Sequence, residues 1–225
     1  QGFLALLGDK KIFWSEDRSA FIAYATTKKY WIAMGDPVGT SSAFGELLWK
    51  FKEQADRFGA KIVFYQISEE YLPIYLDLGL SLLKLGQEAR VELSQFGLEG
   101  KKRDNLRRGR NKLIKQNYYF EVLERDAVVA NINRLKEISD AWLTQKQVRE
   151  KRFSLGFFSE AYICRTRVAV ARSPEGQIMA FANLWETFSH EELSIDLMRY
   201  DPLAPNGVMD FIFAELMLWG KTQQY

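Results

Sequence analysis

The chain opens on short runs of aromatic and β-branched residues set off by polar turns. Lys11–Trp14, Ala20–Thr26 and Tyr30–Met34 are three such runs, bounded by Gly8-Asp9-Lys10 and Thr27-Lys28-Lys29, and the pattern predicts strands. Gly35-Asp36-Pro37-Val38-Gly39 interrupts it. Phe44, Leu47, Leu48, Phe51, Ala55 and Phe58 then recur at helical spacing, with Gly59 as the stop signal. A buried strand is expected over 61–67, a short helix capped by Ser68, and a further strand over 80–93.

The second half repeats the broad plan without repeating the sequence. A basic run over 101–115 has helix-forming composition, weakened by about 1 kcal/mol at Gly109. A strand follows over 118–123, then an amphipathic helix marked by Ile132, Leu135, Ile138, Trp142 and Leu143. After an apolar stretch over 153–158, strands are expected over 165–171, 178–186 and 193–198, the first two joined by the turn Ser173-Pro174-Glu175-Gly176. Asn206 and Gly207 lead into a last helix with Val208, Phe211, Ile212, Leu216 and Trp219 on one face. The expectation is an α/β (α+β) chain: two mixed-sheet halves, 1–95 and 118–225, joined by a basic helix over 96–117.

Composition narrows the picture. Apolar residues make up 47% and charged residues 27%, ordinary for a globular protein, while 14% aromatic residues call for a large interior. No stretch approaches the roughly 20 apolar residues of a membrane-spanning helix; the most apolar run, 211–219, is broken by Glu215. The start, Gln1-Gly2-Phe3, carries neither a basic leader nor an initiator Met and reads as part of a longer protein. A single cysteine, Cys164, excludes internal disulfides and cysteine-based metal clusters, and no metal site is expected. The single histidine lies in Ser189-His190-Glu191-Glu192, a polar turn between strands and a poor place for a catalytic base.

Charge is the strongest signal. Between residues 101 and 115 stand eight basic residues and one acid, Asp104, a local charge of +7 in a chain of net charge +2. Lys101, Lys102, Arg103, Arg107, Arg108, Arg110 and Lys112 cover most of a helix circumference, with too few acids nearby to neutralise them. Such a concentration repels itself unless a polyanion lies against it, and arginine is suited to bidentate phosphate contact. An exposed, solvated helix face is the plainer reading. Nucleic acid, phospholipid headgroups and phosphorylated small molecules are the candidates, with RNA favoured over duplex DNA, since no recognition-helix motif is present and the chain is not basic overall.

A second candidate lies in Ser194-Ile195-Asp196-Leu197-Met198-Arg199. Leu193, Ile195 and Leu197 alternate onto one strand face, which sends Asp196 to the other. The strand is expected to end near Met198, turning Arg199 toward the same cleft. A carboxylate and a guanidinium there could position a nucleophile and hold developing negative charge; the same pair also fits an ion pair anchoring a loop. The helix start at Asn206-Gly207-Val208 offers a weaker anion site. No Gly-x-Gly-x-x-Gly, P-loop or acetyl-CoA pyrophosphate loop occurs, the glycine of Arg107-Arg108-Gly109 standing at the wrong offset. No nucleotide cofactor is expected.

Several blocks together resemble one family. Met34-Gly35-Asp36-Pro37-Val38-Gly39, Gly97-Leu98-Glu99-Gly100-Lys101-Lys102-Arg103, Phe153-Ser154-Leu155-Gly156, Asp196-Leu197-Met198-Arg199-Tyr200 and Gly207-Val208-Met209-Asp210-Phe211 are similar, in order, to the soluble catalytic domain of the aminoacyl-phosphatidylglycerol synthases, the multiple peptide resistance factors. The resemblance implies a tandem GNAT-type acyltransferase fold on the cytoplasmic face of a bacterial membrane, downstream of a transmembrane flippase domain. It implies transfer of lysine or alanine from aminoacyl-tRNA to phosphatidylglycerol without a cofactor, giving a less anionic lipid and resistance to cationic peptides. It assigns catalysis to Asp196 and Arg199, tRNA or lipid phosphate to the basic helix, and a substrate pocket to Gly35, Asp36, Ser154 and Gly207. Two departures stand out: Arg152 replaces a frequent glycine, and the family domain extends past the position of Tyr225, so 118–225 is expected to be a truncated half. The rivals are a tRNA-dependent aminoacyltransferase acting on peptidoglycan precursors and a non-catalytic module that binds RNA or anionic lipid.

Overall fold

A computed structural model describes residues 2–187 and 190–225. The chain forms two compact units, Gln1–Glu88 with Arg152–Ser154, and Ala89–Lys151 with Leu155–Tyr225.

In the first unit, β1 (Lys11–Trp14), β2 (Ala20–Thr26) and β3 (Tyr30–Met34) form an antiparallel meander, and β4 (Val38–Gly39) pairs with β2. Helix α1 (Phe44–Arg57) carries the chain over to β5 (Lys61–Tyr65), which lies parallel to β3. The helical stripe read from the sequence packs except at its last member: Phe58 lies past the helix end and is exposed. Leu47, Leu48, Phe51 and Ala55 bury against Ile22, Tyr24, Trp31 and Ala33, and the short α2 (Leu72–Asp77) adds Tyr75. These aromatics meet at tilted or edge-to-face angles, as with Tyr24 and Phe51 at 5.1 Å and 81°, the arrangement their quadrupoles favour.

Two expectations fail here. Ser68 makes no side-chain cap; its backbone N–H donates instead to Asp36 Oδ2 at 2.9 Å. Residues 80–92 form no strand. In the stretch expected to be a strand, Leu82, Leu83 and Leu85 are exposed, and among the described residues no strand edge pairs with them. Apolar composition alone does not make a strand, which also needs a ladder partner.

In the second unit, the 3-10 turn Lys101–Arg103 runs into α3 (Asp104–Lys115), followed by β6 (Tyr119–Leu123), α4 (Arg125–Lys146), α5 (Glu160–Ile163), β7 (Val168–Arg172), β8 (Ile178–Glu186), β9 (Leu193–Tyr200) and α6 (Val208–Thr222). The four strands make an antiparallel sheet in chain order. Ala169, Ala171, Ala180 and Ala182 line one face; their small side chains admit Phe211, Ile212 and Leu216 of α6 and Leu113 of α3. Val168, Val170 and Phe181 alternate onto the other face and are fully buried, as are Val128, Leu135 and Ile138 of α4. The expected turn before β9 is described only in part: Ser189 lies outside the described residues, and His190 stacks on Tyr225 at 4.6 Å.

Candidate active site

Strand β9 does not end near Met198 as expected. It continues to Tyr200, with Phe181 opposite Arg199 and Ala180 opposite Tyr200. The register slips between Ala182 and Leu184, so Asp196 and Leu197 together oppose Asn183, which makes a β-bulge. Asn183 is fully buried, and its Oδ1 accepts the Leu197 N–H at 2.8 Å. The bulge switches the phase of the strand: Leu193 and Ile195 pack into the α6 cluster before it, and Tyr200 does so after it. Arg199 is thereby freed from the leucine face. The sequence identified the outcome, and the bulge is its cause.

The half-buried Asp196 carboxylate is held from two sides. Oδ1 accepts the Gly156 N–H at 2.9 Å, and Oδ2 accepts the Tyr162 hydroxyl at 2.8 Å. Trp185 Nε1–H in turn donates to Tyr162 Oη at 2.6 Å, so indole and phenol donate in series to the carboxylate, which accepts. Gly156 must be glycine, because a Cβ there would collide with the Asp196 carboxylate. Burial raises the Asp196 pKa and Glu150 adds to that, while the Gly156 and Tyr162 hydrogen bonds and the Arg199 charge oppose it; the net direction is up. Burial, then the Asp196 charge, pushes the Tyr162 hydroxyl well above the ordinary tyrosine value, so it stays a donor.

Arg199 lies near enough for its charge to act on Asp196. Its guanidinium stacks over the Trp142 ring of α4 at 4.2 Å, and Nη2 donates to Glu150 Oε2 at 3.1 Å. Glu150 also accepts the Phe158 N–H at 3.0 Å. Nη1 donates to the Met198 carbonyl, and the buried Nε has no protein acceptor. The orientation of the group is fixed by stacking and one carboxylate, and its Nε is closed off inside the packing.

The basic helix divides into two populations. Asp104 pairs with both Arg107, at 2.6 Å, and Arg108, and Arg110 pairs with Glu215 of α6 at 2.7 Å. Arg107 also donates to the Leu98 carbonyl at 2.8 Å, and Arg103 lies over the Phe96 ring at 4.5 Å. Leu113 anchors the helix in the core. Lys101, Lys102, Lys112 and Lys115 are exposed, and none forms an ion pair among the described residues. Glu215, distant in sequence, was the neutralising acid that local reading could not supply.

The other expected pocket residues separate by unit. Gly207, at φ 91°, starts α6 in the second unit. Gly35, Asp36 and Ser154 belong to the first unit, where Gly35 N–H donates to the Tyr65 carbonyl at 2.7 Å and Asp36 accepts the Tyr75 hydroxyl at 2.8 Å. Among the described residues no cluster of metal-ligating side chains occurs, and no helix is long and apolar enough to cross a membrane. Sequence reading missed Tyr162, Trp185, Glu150 and Trp142. Asn183 did leave a signal, a lone polar residue inside the apolar strand 178–184.

These features define a mixed α/β domain of two sheet-bearing units, the second of which carries a carboxylate–tyrosine–guanidinium site. The family described as phosphatidylglycerol lysyltransferase, C-terminal, matches residues 1–225, and the chain belongs to that family. It is 39% identical over 220 residues to the phosphatidylglycerol lysyltransferase of Bacillus subtilis, covering 98% of this chain and 26% of that protein. It is 36% identical over 218 residues to the Staphylococcus aureus protein of the same name, covering 97% of this chain and 26% of the relative. The chain thus spans about a quarter of the length of these relatives. Among solved structures it matches the C-terminal domain assigned to a lysylphosphatidylglycerol synthetase of Agrobacterium fabrum, with a TM-score of 0.94, 42% identity and coverage of 99% of this chain and 70% of that one. L-PGS from Bacillus licheniformis matches with a TM-score of 0.91 and 40% identity over 99% of this chain and 70% of that one.

Proposed function

We propose that this chain is the part of a larger enzyme that transfers an aminoacyl group, lysyl or alanyl, from aminoacyl-tRNA to a hydroxyl of phosphatidylglycerol. The observation that carries this reading is the half-buried Asp196 carboxylate, gripped by Gly156 and Tyr162 and within reach of the Arg199 charge, in a chain of this family. An aminoacyl ester is already activated, so the reaction needs a base and an oxyanion partner and no cofactor. The lipid hydroxyl attacks the ester carbonyl and its proton passes to Asp196, whose raised pKa makes it a better base. The new ester bond forms as the old one breaks, and the proton leaves with the ribose hydroxyl. The Arg199 charge stabilises the oxyanion or the lipid phosphate. Lys101, Lys102, Lys112 and Lys115 attract tRNA or the anionic surface, while Arg107, Arg108 and Arg110 chiefly shape the helix that carries them.

In this reading each unit is one GNAT-type half. The whole protein works on the cytoplasmic face of the bacterial membrane, attached to a transmembrane flippase domain, and its product confers resistance to cationic peptides. The test is incubation of the complete protein with labelled lysyl- or alanyl-tRNA and phosphatidylglycerol, followed by lipid chromatography. Full lipid labelling by Asp196→Ala removes Asp196 from catalysis. Label appearing only on a lipid-linked peptidoglycan precursor moves the enzyme to the other acceptor class.

A further inference from the structure

Within the first unit the sheet outruns the helix that covers it. Lys11 lies opposite Tyr24 and Thr26 opposite Trp31, and because Tyr24 and Trp31 belong to the core beneath α1, all four share the α1 side. Helix α1 stops at Arg57, and Gly59, at φ 65°, turns the chain into β5. The uncovered end of the sheet face is an open recess of about 450 Å³, within the usual range for small-molecule sites.

The lining of this recess is chemically mixed in a telling way. Phe58 is 68% exposed, although its ring lies only 5.6 Å from Trp31 at 37°, so one aromatic face is open to a planar partner. Lys11 and Lys28 line the same recess, and neither side chain forms an ion pair among the described residues. Thr26 and Gln54 add hydrogen-bonding groups, and no acid lines it. A lipid tail would leave both lysines without a purpose, and a bare phosphate would leave the aromatic wall without one. A flat heteroaromatic ring bearing an anionic group uses both.

We propose that this recess binds one unpaired nucleotide of single-stranded RNA, with the base stacked on the open face of Phe58, whose ring leans on Trp31, and the phosphate on Lys11 and Lys28. Stacking on aromatic side chains beside lysines is the general route to sequence-tolerant single-strand binding. Gln54 can meet the hydrogen-bonding edge of a base. Nucleotide binding here needs neither Asp196 nor Arg199, so it stands or falls separately from lipid aminoacylation.

The experiment measures binding of the complete chain to a fluorescein-labelled adenine hexanucleotide RNA by anisotropy, and to AMP by saturation-transfer NMR. Both ligands are expected to bind. Phe58→Ala should weaken each about tenfold, and Phe58→Tyr should stay within about twofold of the parent. Lys11→Gln with Lys28→Gln should weaken the RNA and flatten its salt dependence. Asp196→Asn should bind both ligands unchanged. Phe58 is a largely exposed residue just past the helix end, and circular dichroism checks that its variants fold. The proposal is overturned if AMP does not bind, if Phe58→Ala binds like the parent, or if Phe58→Tyr loses as much as alanine. It is equally overturned if RNA binding vanishes on Lys101→Glu with Lys102→Glu alone, or if phosphatidylglycerol vesicles displace AMP.

Discussion

At Asp196, burial and hydrogen bonding pull in opposite directions, and burial is the larger influence. Removing one of the opposing donors should therefore raise the pKa further. Tyr162→Phe is expected to move the acidic limb of the transfer rate upward in pH, which a pH profile of kcat/KM would reveal. The same imbalance affects stability. The folded carboxyl holds its proton to a higher pH than the unfolded one, so its contribution to stability is present at low pH and is lost as pH rises through the folded pKa. Urea titrations across that window should show a shallower pH dependence for Asp196→Asn than for the parent. Gly156→Ala, which drives a Cβ into the carboxylate, should lower transfer by about a hundredfold or more, with the radiolabelled lipid product as readout. The face on which Asp196 lies was readable from the alternation of Leu193 and Ile195, whereas the side taken by Arg199 depends on the bulge. Tyr162 was not readable, because a tyrosine in a short apolar helix looks like core until its hydroxyl is seen on the carboxylate.

Elements were legible where a face had one clear role. Helix α6, and α1 as far as Ala55, matched their hydrophobic stripes because a core lay beneath them, whereas Phe58 fell beyond the helix end and stayed exposed. The strand expected over 80–93 did not form because pairing is a property of two segments, and its own residues describe only one. The bulge in β9 was hidden for a related reason: it depends on Asn183, which lies on the neighbouring strand β8. Asn183→Leu leaves the Leu197 N–H buried without an acceptor and should cost about 2 kcal/mol, read from urea unfolding. Transfer should fall with it if the bulge sets the Arg199 position. On α3, Arg110→Ala should cost about 1 kcal/mol, and Glu215→Ala should add little to it, since the two form one pair.

For the whole molecule, charge distribution matters more than net charge. The chain carries only +2 overall, yet its free cations on and before α3 are lysines that do nothing for the fold. Lys101→Glu with Lys102→Glu should leave the thermal midpoint within about 2 °C. In gel-shift titrations at several ionic strengths, the same change should weaken RNA binding and reduce its salt slope by about two. The opposite result, lost stability with unchanged binding, would assign the run to folding. The two-half plan was visible as repeated runs of strands followed by a helix, but the return of 152–154 to the first unit was not. No local pattern marks where a chain revisits an earlier core.

Strands count by parity. An aspartate and an arginine three positions apart belong to opposite sides of a regular ribbon, and here they share one side only because a single surplus residue resets the count. A relative that lost that residue would hold the pair two positions apart on a regular ribbon, still on one side. Inserting a residue between them should therefore be far more damaging than deleting the surplus one.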